Sequence, residues 1–356
     1  MTAASLLPSL PPGARVLFIR LRSIGDIVLL TPALHILRDW RADLRVSVLV
    51  ERRFRELLEG NPDVDEILAT DDGAAARLRT VAGLRRRRFA LCLNLHGGPT
   101  STQLAWLSGA RTKAGFEHFR SRRFYDFLIP DARTILGQPA VHTAEHQASA
   151  LFWLGLPRRE IPRARLFVSP QNEAGWQETR AKLGVPPGRG YALIHPTALY
   201  ATKQWAPANF AKLGEYLERE AGILPIYSCG PGESAVLDAV RDAAGFEIRR
   251  LESAGLGEFA AALAGARLFA GNDSGPAHMA AALGRPTVVI FGSSSSKIWG
   301  PWPPGGAGRV VQNFWECNPC PGDHCYRFER PECILSVEFE PVRAAVEEVL
   351  KAAANP

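Results

Sequence analysis

The sequence lacks any uninterrupted apolar stretch of the roughly 18 residues that a membrane-spanning helix needs. Its first residues, MTAASLLPSLPPGAR, lack a basic leader, and prolines interrupt their short apolar run, which is not the pattern of a signal peptide. These absences predict a cytoplasmic protein. With 46% hydrophobic and 22% charged residues, the 356-residue chain is not of the disordered class and is long enough for two ordinary domains.

Several catalytic signatures are also missing. The sequence contains no P-loop, no Gly-x-Ser-x-Gly and no His-Glu-x-x-His, so it does not indicate P-loop phosphoryl transfer, a serine hydrolase elbow or a zinc protease. It also has no evident Asp-x-Asp pair to hold a divalent metal against a diphosphate. A metal-bridged diphosphate site is therefore not indicated.

Positive charge is concentrated in the first half. Residues 1–170 contain 25 Lys and Arg against 16 Asp and Glu, a net charge of +9, whereas the remainder carries −3. Nearly all of these cations are arginines, with clusters at 52–55, 85–88 and 120–123. Arginine binds phosphates and carboxylates well, so the clusters are either solvated surface or contacts to a polyanion or an anionic membrane surface. No nucleic-acid-binding motif accompanies them, and a nucleic-acid partner is not expected.

Short β-rich runs alternate with helical runs along the chain, which predicts an α/β fold with parallel sheets. The first half has predicted strands at 14–21, 44–50, 65–70 and 89–95 and helices at 26–40 and 53–60. The second has strands at 191–196, 223–230, 266–273 and 285–292, helices at 207–221, from 233, from 274 and at 342–353, and a loop at 292–308. Two such halves predict Rossmann-like domains at residues 1–170 and 171–356 that face a central cleft, with ligands at the carboxyl ends of the strands.

The first candidate site is the segment R-L-R-S-I-G-D (20–26), which leaves the first predicted strand and enters a helix. Gly25 permits a tight turn and close approach of a ligand. Asp26 is either a helix-start carboxylate that interacts with the helix dipole or a functional carboxylate at the strand end. The sequence alone leaves both interpretations open.

Two further motifs lie in the second half. The loop H-P-T-A-L-Y-A-T-K-Q-W (195–205) places the hydroxyl of Thr202 and the cation of Lys203 after a strand, where a phosphate-bearing ligand would lie. The segment G-N-D-S-G-P-A-H-M-A-A-A-L-G-R-P-T (271–287) passes from a strand into a helix whose free N–H groups and dipole form an anion site. In that segment His278 is either a packed histidine or a phosphate contact.

Two weaker patterns follow. The stretch C-G-P-G-E-S-A (229–235) matches the G-x-G-x-x-A dinucleotide fingerprint, but Glu233 brings negative charge where a phosphate would approach. We interpret Glu233 as a partner for nucleotide ribose hydroxyls or as a solvated first-turn residue. Four of the six cysteines lie within 17 residues, which indicates either a structural metal site or free thiols, with His324 as an additional candidate ligand. They are Cys317, Cys320, Cys325 and Cys333.

The three principal motifs, in this order, resemble glycosyltransferase family 9, the ADP-heptose:lipopolysaccharide heptosyltransferases. The resemblance rests on R-x-R-S-I-G-D-I-V-L-L-T-P-A-L, the K-Q-W loop and N-D-S-G-P-A-H-M-A-A-A-L-G-R-P, and it covers most of the chain. It implies the GT-B fold, inversion at the anomeric centre, no catalytic metal, and a final helix that returns towards the first domain. The cysteine pattern near the C-terminus varies within the family, and some relatives that glycosylate proteins bind iron there, so a structural zinc or iron stays open.

The resemblance assigns a role to each motif residue. Asp26 is implied as the general base, within an acceptor loop that includes Arg20, Arg22, Ser23 and Gly25. An ADP-sugar donor is implied at Thr202, Lys203, Glu233, Asp273, Ser274, Gly275, Pro276, Ala277 and His278. The implied acceptor is the anionic lipopolysaccharide inner core, reached at the cytoplasmic face of the inner membrane, with peripheral contact to that membrane.

Alternative functions remain at this point. A related transferase could use another nucleotide sugar or a protein acceptor. A sugar-nucleotide epimerase would share the two-domain architecture, and an NAD-dependent enzyme would use residues 229–235 and bind reduced nicotinamide. A non-enzymatic polyanion-binding protein would not need Asp26, Lys203 and Asp273 together, and donor hydrolysis would distinguish it from a transferase.

Overall fold

The chain forms two compact units, Met1–Phe167 and Val168–Pro356, in a computed structural model that describes residues 2–252 and 254–354. The division lies three residues before the boundary expected from the sequence. Each unit has its own sheet: six strands pair within the first unit, and six other strands pair within the second. In the described residues no helix has both the length and the apolar character needed to cross a bilayer.

The first unit contains a six-stranded sheet in the order β3-β2-β1-β4-β5-β6, in which all pairs are parallel. Buried aliphatic residues dominate the central strands, as expected for a sheet covered on both faces. The strands are β1 (Arg15–Ile19), β2 (Arg45–Glu51), β3 (Glu66–Thr70), β4 (Leu91–Asn94), β5 (Thr112–Phe116) and β6 (Phe127–Ile129). The helices are α1 (Ile24–Val28), α2 (Thr31–Trp40), α3 (Ala74–Arg87), α4 (Pro99–Leu107), α5 (Ala132–Leu136) and α6 (Thr143–Trp153).

The second unit repeats this architecture with a parallel sheet in the order β12-β11-β10-β7-β8-β9. Its strands are β7 (Tyr191–His195), β8 (Leu224–Cys229), β9 (Arg250–Glu252), β10 (Leu268–Asn272), β11 (Thr287–Phe291) and β12 (Gly308–Gln312). Its helices are α7 (Pro170–Lys182), α8 (Pro207–Arg219), α9 (Ser234–Ala244), α10 (Leu256–Ala264), α11 (Gly275–Ala282), α12 (Ser296–Trp299), α13 (Glu332–Leu335) and α14 (Phe339–Ala354).

Two elements differ in detail from the sequence-based expectations. The predicted helix at 26–40 is two helices, and Pro32 lies in the first turn of α2, where its missing N–H would be unpaired in any case. The predicted helix at 53–60 is a 3-10 helix, Arg52–Leu58. The final helix α14 buries Val342, Val346 and Val349 in the core of the second unit, and its return towards the first unit stays a prediction.

Each sheet has one point where its strand order reverses. In the first unit the chain moves outwards from β1 to β3 and then restarts with β4 on the other side of β1. In the second unit it moves from β7 to β9 and restarts with β10 on the other side of β7. The loops after such strand pairs diverge and leave a crevice at the carboxyl edge, which is where α/β sheets bind ligands. The loops after β1, β4, β7 and β10 therefore border these crevices.

Candidate active site

An ion pair joins the loops after β7 and β10. Lys203 ends a 3-10 helix, Ala201–Lys203, and Asp273 directly follows β10. The Nζ of Lys203 lies 2.7 Å from Oδ2 of Asp273. The lysine side chain is 22% exposed and the aspartate only 6%. Because an ammonium group has three N–H donors, the pair fixes Lys203 and leaves donors for an anionic ligand.

Buried polar groups hold these two loops together. Asn272, the last residue of β10, is fully buried; its Oδ1 accepts from the backbone N–H of Trp205 at 3.0 Å, and its Nδ2 donates to the carbonyl of Pro196 at 2.8 Å. The Ser294 hydroxyl donates to Oδ2 of Asp273. At Gly292 a Cβ would lie 2.2 Å from the carbonyl oxygen of Thr202, so only glycine permits this close packing of the loop after β11.

Helix α11 begins beside the ion pair. Ser274 is its N-cap, and Pro276 occupies its first turn, where a proline costs no intrahelical hydrogen bond. Gly275 is half-buried, whereas Ala277 and His278 are buried. The positive end of the helix dipole and the Lys203 ammonium therefore lie at the same crevice of the second sheet, which suits a phosphate group.

The K-Q-W loop also has a structural function. Thr202 is buried; its hydroxyl donates to the carbonyl of Gly322 and accepts from the Ser293 hydroxyl at 3.1 Å. Trp205 is buried in the core, where its Nε1 donates to the carbonyl of Val337 at 2.6 Å. These contacts commit both side chains to holding the loop, whereas the side chain of Lys203 remains partly exposed.

Glu233 lies at the neighbouring strand end, after β8. Its Oε2 accepts from the N–H of Gly230 at 2.8 Å and from the hydroxyl of Thr197 at 2.7 Å. The Thr197 hydroxyl lies 2.9 Å from Nε2 of His195, and Nδ1 of His195 lies 3.0 Å from the hydroxyl of Ser228. This series of hydrogen bonds orients the Glu233 carboxylate. It also occupies the Gly230 N–H that a dinucleotide phosphate would require.

Burial lowers the pKa of His195 to about 4, which keeps the ring neutral. An unfolded histidine takes up its proton near pH 6.5, so the stability that this ring contributes is complete above that pH and is lost as the pH falls from 6.5 towards 4. The loss should amount to about 3 kcal/mol. We expect His195→Gln to flatten the dependence of the unfolding free energy on pH over this window, measured by urea titration. An unchanged slope would contradict this role of His195.

The loop after β1 carries Asp26 at the third position of α1. Its Oδ2 accepts from the backbone N–H of Ser23 at 3.2 Å and from the Ser23 hydroxyl at 3.1 Å. Its Oδ1 forms an ion pair with Arg20, which also donates to the carbonyl of Leu95. The carboxylate thus caps its own helix and has a fixed countercharge. Its side chain is 14% exposed, which leaves it reachable from the carboxyl edge of the first sheet.

His96, after β4, was missed by the sequence analysis. Burial lowers its pKa, and the guanidinium groups of Arg20 and Arg22 lower it further, whereas Asp26 opposes the shift. Among the described residues its buried Nδ1 has no hydrogen-bond partner. Buried polar atoms are nearly always satisfied, so this unpaired nitrogen is unusual and marks the end of β4 as a candidate position for a ligand contact. The signal in the sequence was His-Gly-Gly at a strand end.

The remaining residues of the first loop occupy the same edge. Gly25 is buried within α1, and Ser23 is exposed apart from its contacts with Asp26. Arg22 is largely exposed, and its Nε lies 3.7 Å from Oε1 of Glu51. An exposed guanidinium and a fixed carboxylate are therefore both present where a charged substrate of the first unit would bind.

The cysteine segment does not form a metal cage in the structure. All four thiols are free; Cys333 is buried and the other three are partly exposed. Burial, together with the nearby thiols, raises the pKa of Cys333 to about 11. His324 lies 3.3 Å from its neighbour Asp323. In the described parts of the chain no three His, Cys, Asp or Glu side chains are placed to hold one ion, and a structural zinc or iron at these cysteines stays a prediction.

Comparison with known proteins places this geometry in a family. Residues 77–326 match the sequence profile of glycosyltransferase family 9 (heptosyltransferase). Lipopolysaccharide heptosyltransferase 3 of Escherichia coli is 27% identical over 314 residues, which are 83% of this chain and 87% of that protein.

Solved structures agree with the fold. The E. coli ADP-heptose lipopolysaccharide heptosyltransferase II superposes with a TM-score of 0.78 at 17% identity, over 96% of this chain and 99% of that one. The E. coli heptosyltransferase WaaC, solved with ADP, gives a TM-score of 0.67 at 20% identity, over 94% and 99%. Together with the two parallel six-stranded sheets, this likeness confirms the GT-B fold predicted from the sequence.

Proposed function

The chain belongs to glycosyltransferase family 9, and on that basis we propose that this enzyme, a glycosyltransferase of the heptosyltransferase class, transfers heptose from ADP-heptose to the lipopolysaccharide inner core. The observation that carries the proposal is the pair of strand-order reversals: one holds a fixed carboxylate, Asp26, and the other holds a fixed cation, Lys203, at a helix N-terminus. This reaction requires a base that accepts the proton of the acceptor hydroxyl and a site that binds the diphosphate of the donor.

The second unit would bind the donor. Lys203 and the start of α11 would face the diphosphate, and the Asp273 carboxylate would hold the lysine in place instead of touching the donor. Glu233 would accept hydrogen bonds from ribose hydroxyls through Oε1, since Oε2 is already occupied. The heptosyltransferase WaaC, which was solved with ADP, supports ADP as the nucleotide.

The first unit would bind the acceptor. In the transfer step an acceptor hydroxyl oxygen bonds to the anomeric carbon, the bond from that carbon to the diphosphate oxygen breaks, and the hydroxyl proton passes to Asp26. Attack from the side opposite the leaving group inverts the anomeric centre. The negative charge that develops on the departing ADP would be met by Lys203 and the α11 dipole, which is where fixed electrostatic stabilisation lowers a barrier most.

The proposed acceptor is anionic, and the first half carries the positive charge to meet it. Arg22 is exposed beside Asp26 and would contact acceptor phosphates or carboxylates. Lipopolysaccharide as the acceptor of E. coli heptosyltransferase 3 supports this choice. The reaction would then take place at the cytoplasmic face of the inner membrane.

Catalysis should not depend on a divalent metal, because the leaving diphosphate is met by a lysine and a helix N-terminus. We expect EDTA added to the assay to leave the transfer rate within about twofold of the untreated rate. A rate that collapses with EDTA and returns with Mg²⁺ would contradict this. Zinc or iron at the four cysteines is a separate prediction, and elemental analysis that finds neither, with all four thiols titratable, would reject it.

The donor assignment can be tested with a panel of nucleotide sugars. Calorimetry and slow donor hydrolysis should favour ADP-heptose over UDP-, GDP- and CDP-linked sugars. A preference for another nucleotide, or transfer to a protein and not to the inner core, would replace the finer proposal while leaving the glycosyltransferase class intact.

A further inference from the structure

Helix α3 presents a basic face with an apolar centre to solvent. The segment Ala74–Arg87 contains five arginines and no acidic residue. Leu78 is 71% exposed, and Arg77, Arg85 and Arg86 are exposed as well. Among the described residues none of these three arginines forms an ion pair, although Arg87 pairs with Glu66. This face therefore carries uncompensated positive charge around an exposed leucine.

Helical geometry puts the leucine and the cations side by side. Arg85 follows Leu78 by seven residues, which is two helical turns and the same face. Arg86 lies one position further round the helix. The inner side of α3 is occupied by Ala76 and Leu84, which are buried. The exposed apolar position is thus not a continuation of the core.

A second apolar group adjoins the end of this helix. Nε of Arg85 donates to the carbonyl of Leu107, the last residue of α4, at 3.0 Å. Beside it Trp106 is 54% exposed, and its ring centre lies 5.4 Å from that of Phe124. The guanidinium of Arg123 lies 5.0 Å from the Phe124 ring centre. We call this the basic–aromatic surface, formed by Leu78, Arg85, Arg86, Trp106, Arg123 and Phe124.

The composition of this surface selects one kind of partner. Arginines attract anionic headgroups, tryptophan favours the boundary between water and lipid, and an exposed leucine gains free energy only by entering an apolar phase. A soluble polyanion would satisfy the arginines and leave Leu78 and Trp106 in water. We propose that the basic–aromatic surface docks the protein on an anionic lipid bilayer, with Leu78 and Trp106 inserted at the level of the headgroups.

Vesicle binding tests the role of the cations. The protein should co-sediment with vesicles of equal parts phosphatidylcholine and phosphatidylglycerol but not with phosphatidylcholine alone. Replacing Arg86 and Arg123 together by glutamate should weaken this binding by at least about thirtyfold, since each arginine near an anionic surface contributes about fivefold. The control is Lys182→Glu with Lys212→Glu, which changes the net charge by the same amount at exposed positions of the second unit. This control pair should change vesicle binding by less than about threefold.

Fluorescence tests the insertion of the apolar groups. The chain has eight tryptophans, and brominated lipids should quench the emission of the parent protein mainly through Trp106. Trp106→Phe should therefore bind vesicles but lose most of the quenching. An unchanged circular dichroism spectrum and thermal unfolding midpoint in each variant shows that it is folded. Because this control does not use ADP, a failure here is separable from a failure of the proposed donor site.

Three results would overturn the proposal. Equal weakening of vesicle binding by the two charge-reversal pairs would show that the attraction depends on net charge and not on the basic–aromatic surface. Quenching that persists in Trp106→Phe would place another surface at the lipid. Binding to duplex DNA as tight as that to the anionic vesicles would assign the surface to soluble polyanions.

Discussion

Replacing Asp26 by asparagine should reduce the rate of glycosyl transfer by about 10² to 10⁴ while ADP binds with its parental affinity. The amide keeps the size of the side chain but cannot take the proton of the attacking hydroxyl. ADP affinity should not change, because the proposed nucleotide contacts lie on the second sheet, on Lys203 and Glu233. Stopped assays of transfer and calorimetry with ADP separate the two quantities.

Asp26 also caps α1 and pairs with Arg20, so this variant needs a structural control. Asp131 offers one: it accepts from the N–H of Arg133 at 2.8 Å at the start of α5 and pairs with the guanidinium of the same residue. Asparagine caps a helix about as well as aspartate, and an exposed ion pair contributes little, so Asp131→Asn should lower stability by less than about 1 kcal/mol without loss of transfer. Near-parental kcat in Asp26→Asn, or a defect confined to donor binding, would remove Asp26 from the role of base.

Replacing Lys203 by alanine should weaken ADP binding by about 10- to 100-fold, the range expected for one hydrogen bond to a charged group. The ammonium lies in a half-buried position where water screens it incompletely, and it is already oriented by Asp273. Lys212, exposed on α8, is the matched control, and Lys212→Ala should leave ADP affinity unchanged.

Loss of Lys203 would also leave the carboxylate of Asp273, which is 6% exposed, without its ion-pair partner. A buried unpaired charge is destabilising. The double variant Lys203→Ala with Asp273→Asn removes that charge. It should regain thermal stability relative to Lys203→Ala but not ADP affinity. Equal ADP affinity in Lys203→Ala and the parent, or recovery of affinity in the double variant, would show that Lys203 does not contact the donor.

The sequence was sufficient to predict the strands whose ends carry the candidate site, but not the whole sheets, because β5, β6, β9 and β12 were not predicted. Buried parallel strands are continuous hydrophobic runs, and those around Phe18 and Ile290 are recognisable without a structure. Asp26, Lys203 and Asp273 each follow such a run. Because ligands bind at the carboxyl ends of parallel strands, their position in the chain already indicated their location.

Contacts between distant residues could not be predicted in the same way. Lys203 and Asp273 are 70 residues apart, and only the pairing of β7 with β10 brings their loops together. His96 approaches Asp26 because β4 pairs with β1, a strand order that hydrophobic periodicity does not encode.

The direction of side chains within a loop could not be predicted from the sequence either. The K-Q-W loop suggested a hydroxyl and a cation beside a phosphate, but the Thr202 hydroxyl turns inwards and donates to the carbonyl of Gly322. A loop has no fixed period, so its sequence does not determine which residues face the ligand. The same limit applies to the cysteines, whose spacing is compatible with either a structural metal site or free thiols; the described residues place no three ligands around one ion.

The most direct test of the proposed reaction is to incubate the purified enzyme with ADP-heptose and a heptose-acceptor inner-core oligosaccharide, and to analyse the product by mass spectrometry and NMR. We predict an acceptor heavier by one heptosyl residue, one ADP released for each bond formed, and an anomeric configuration opposite to that of the donor. A product with retained configuration, or an acceptor left unmodified while another nucleotide sugar supports transfer, would contradict the proposed reaction.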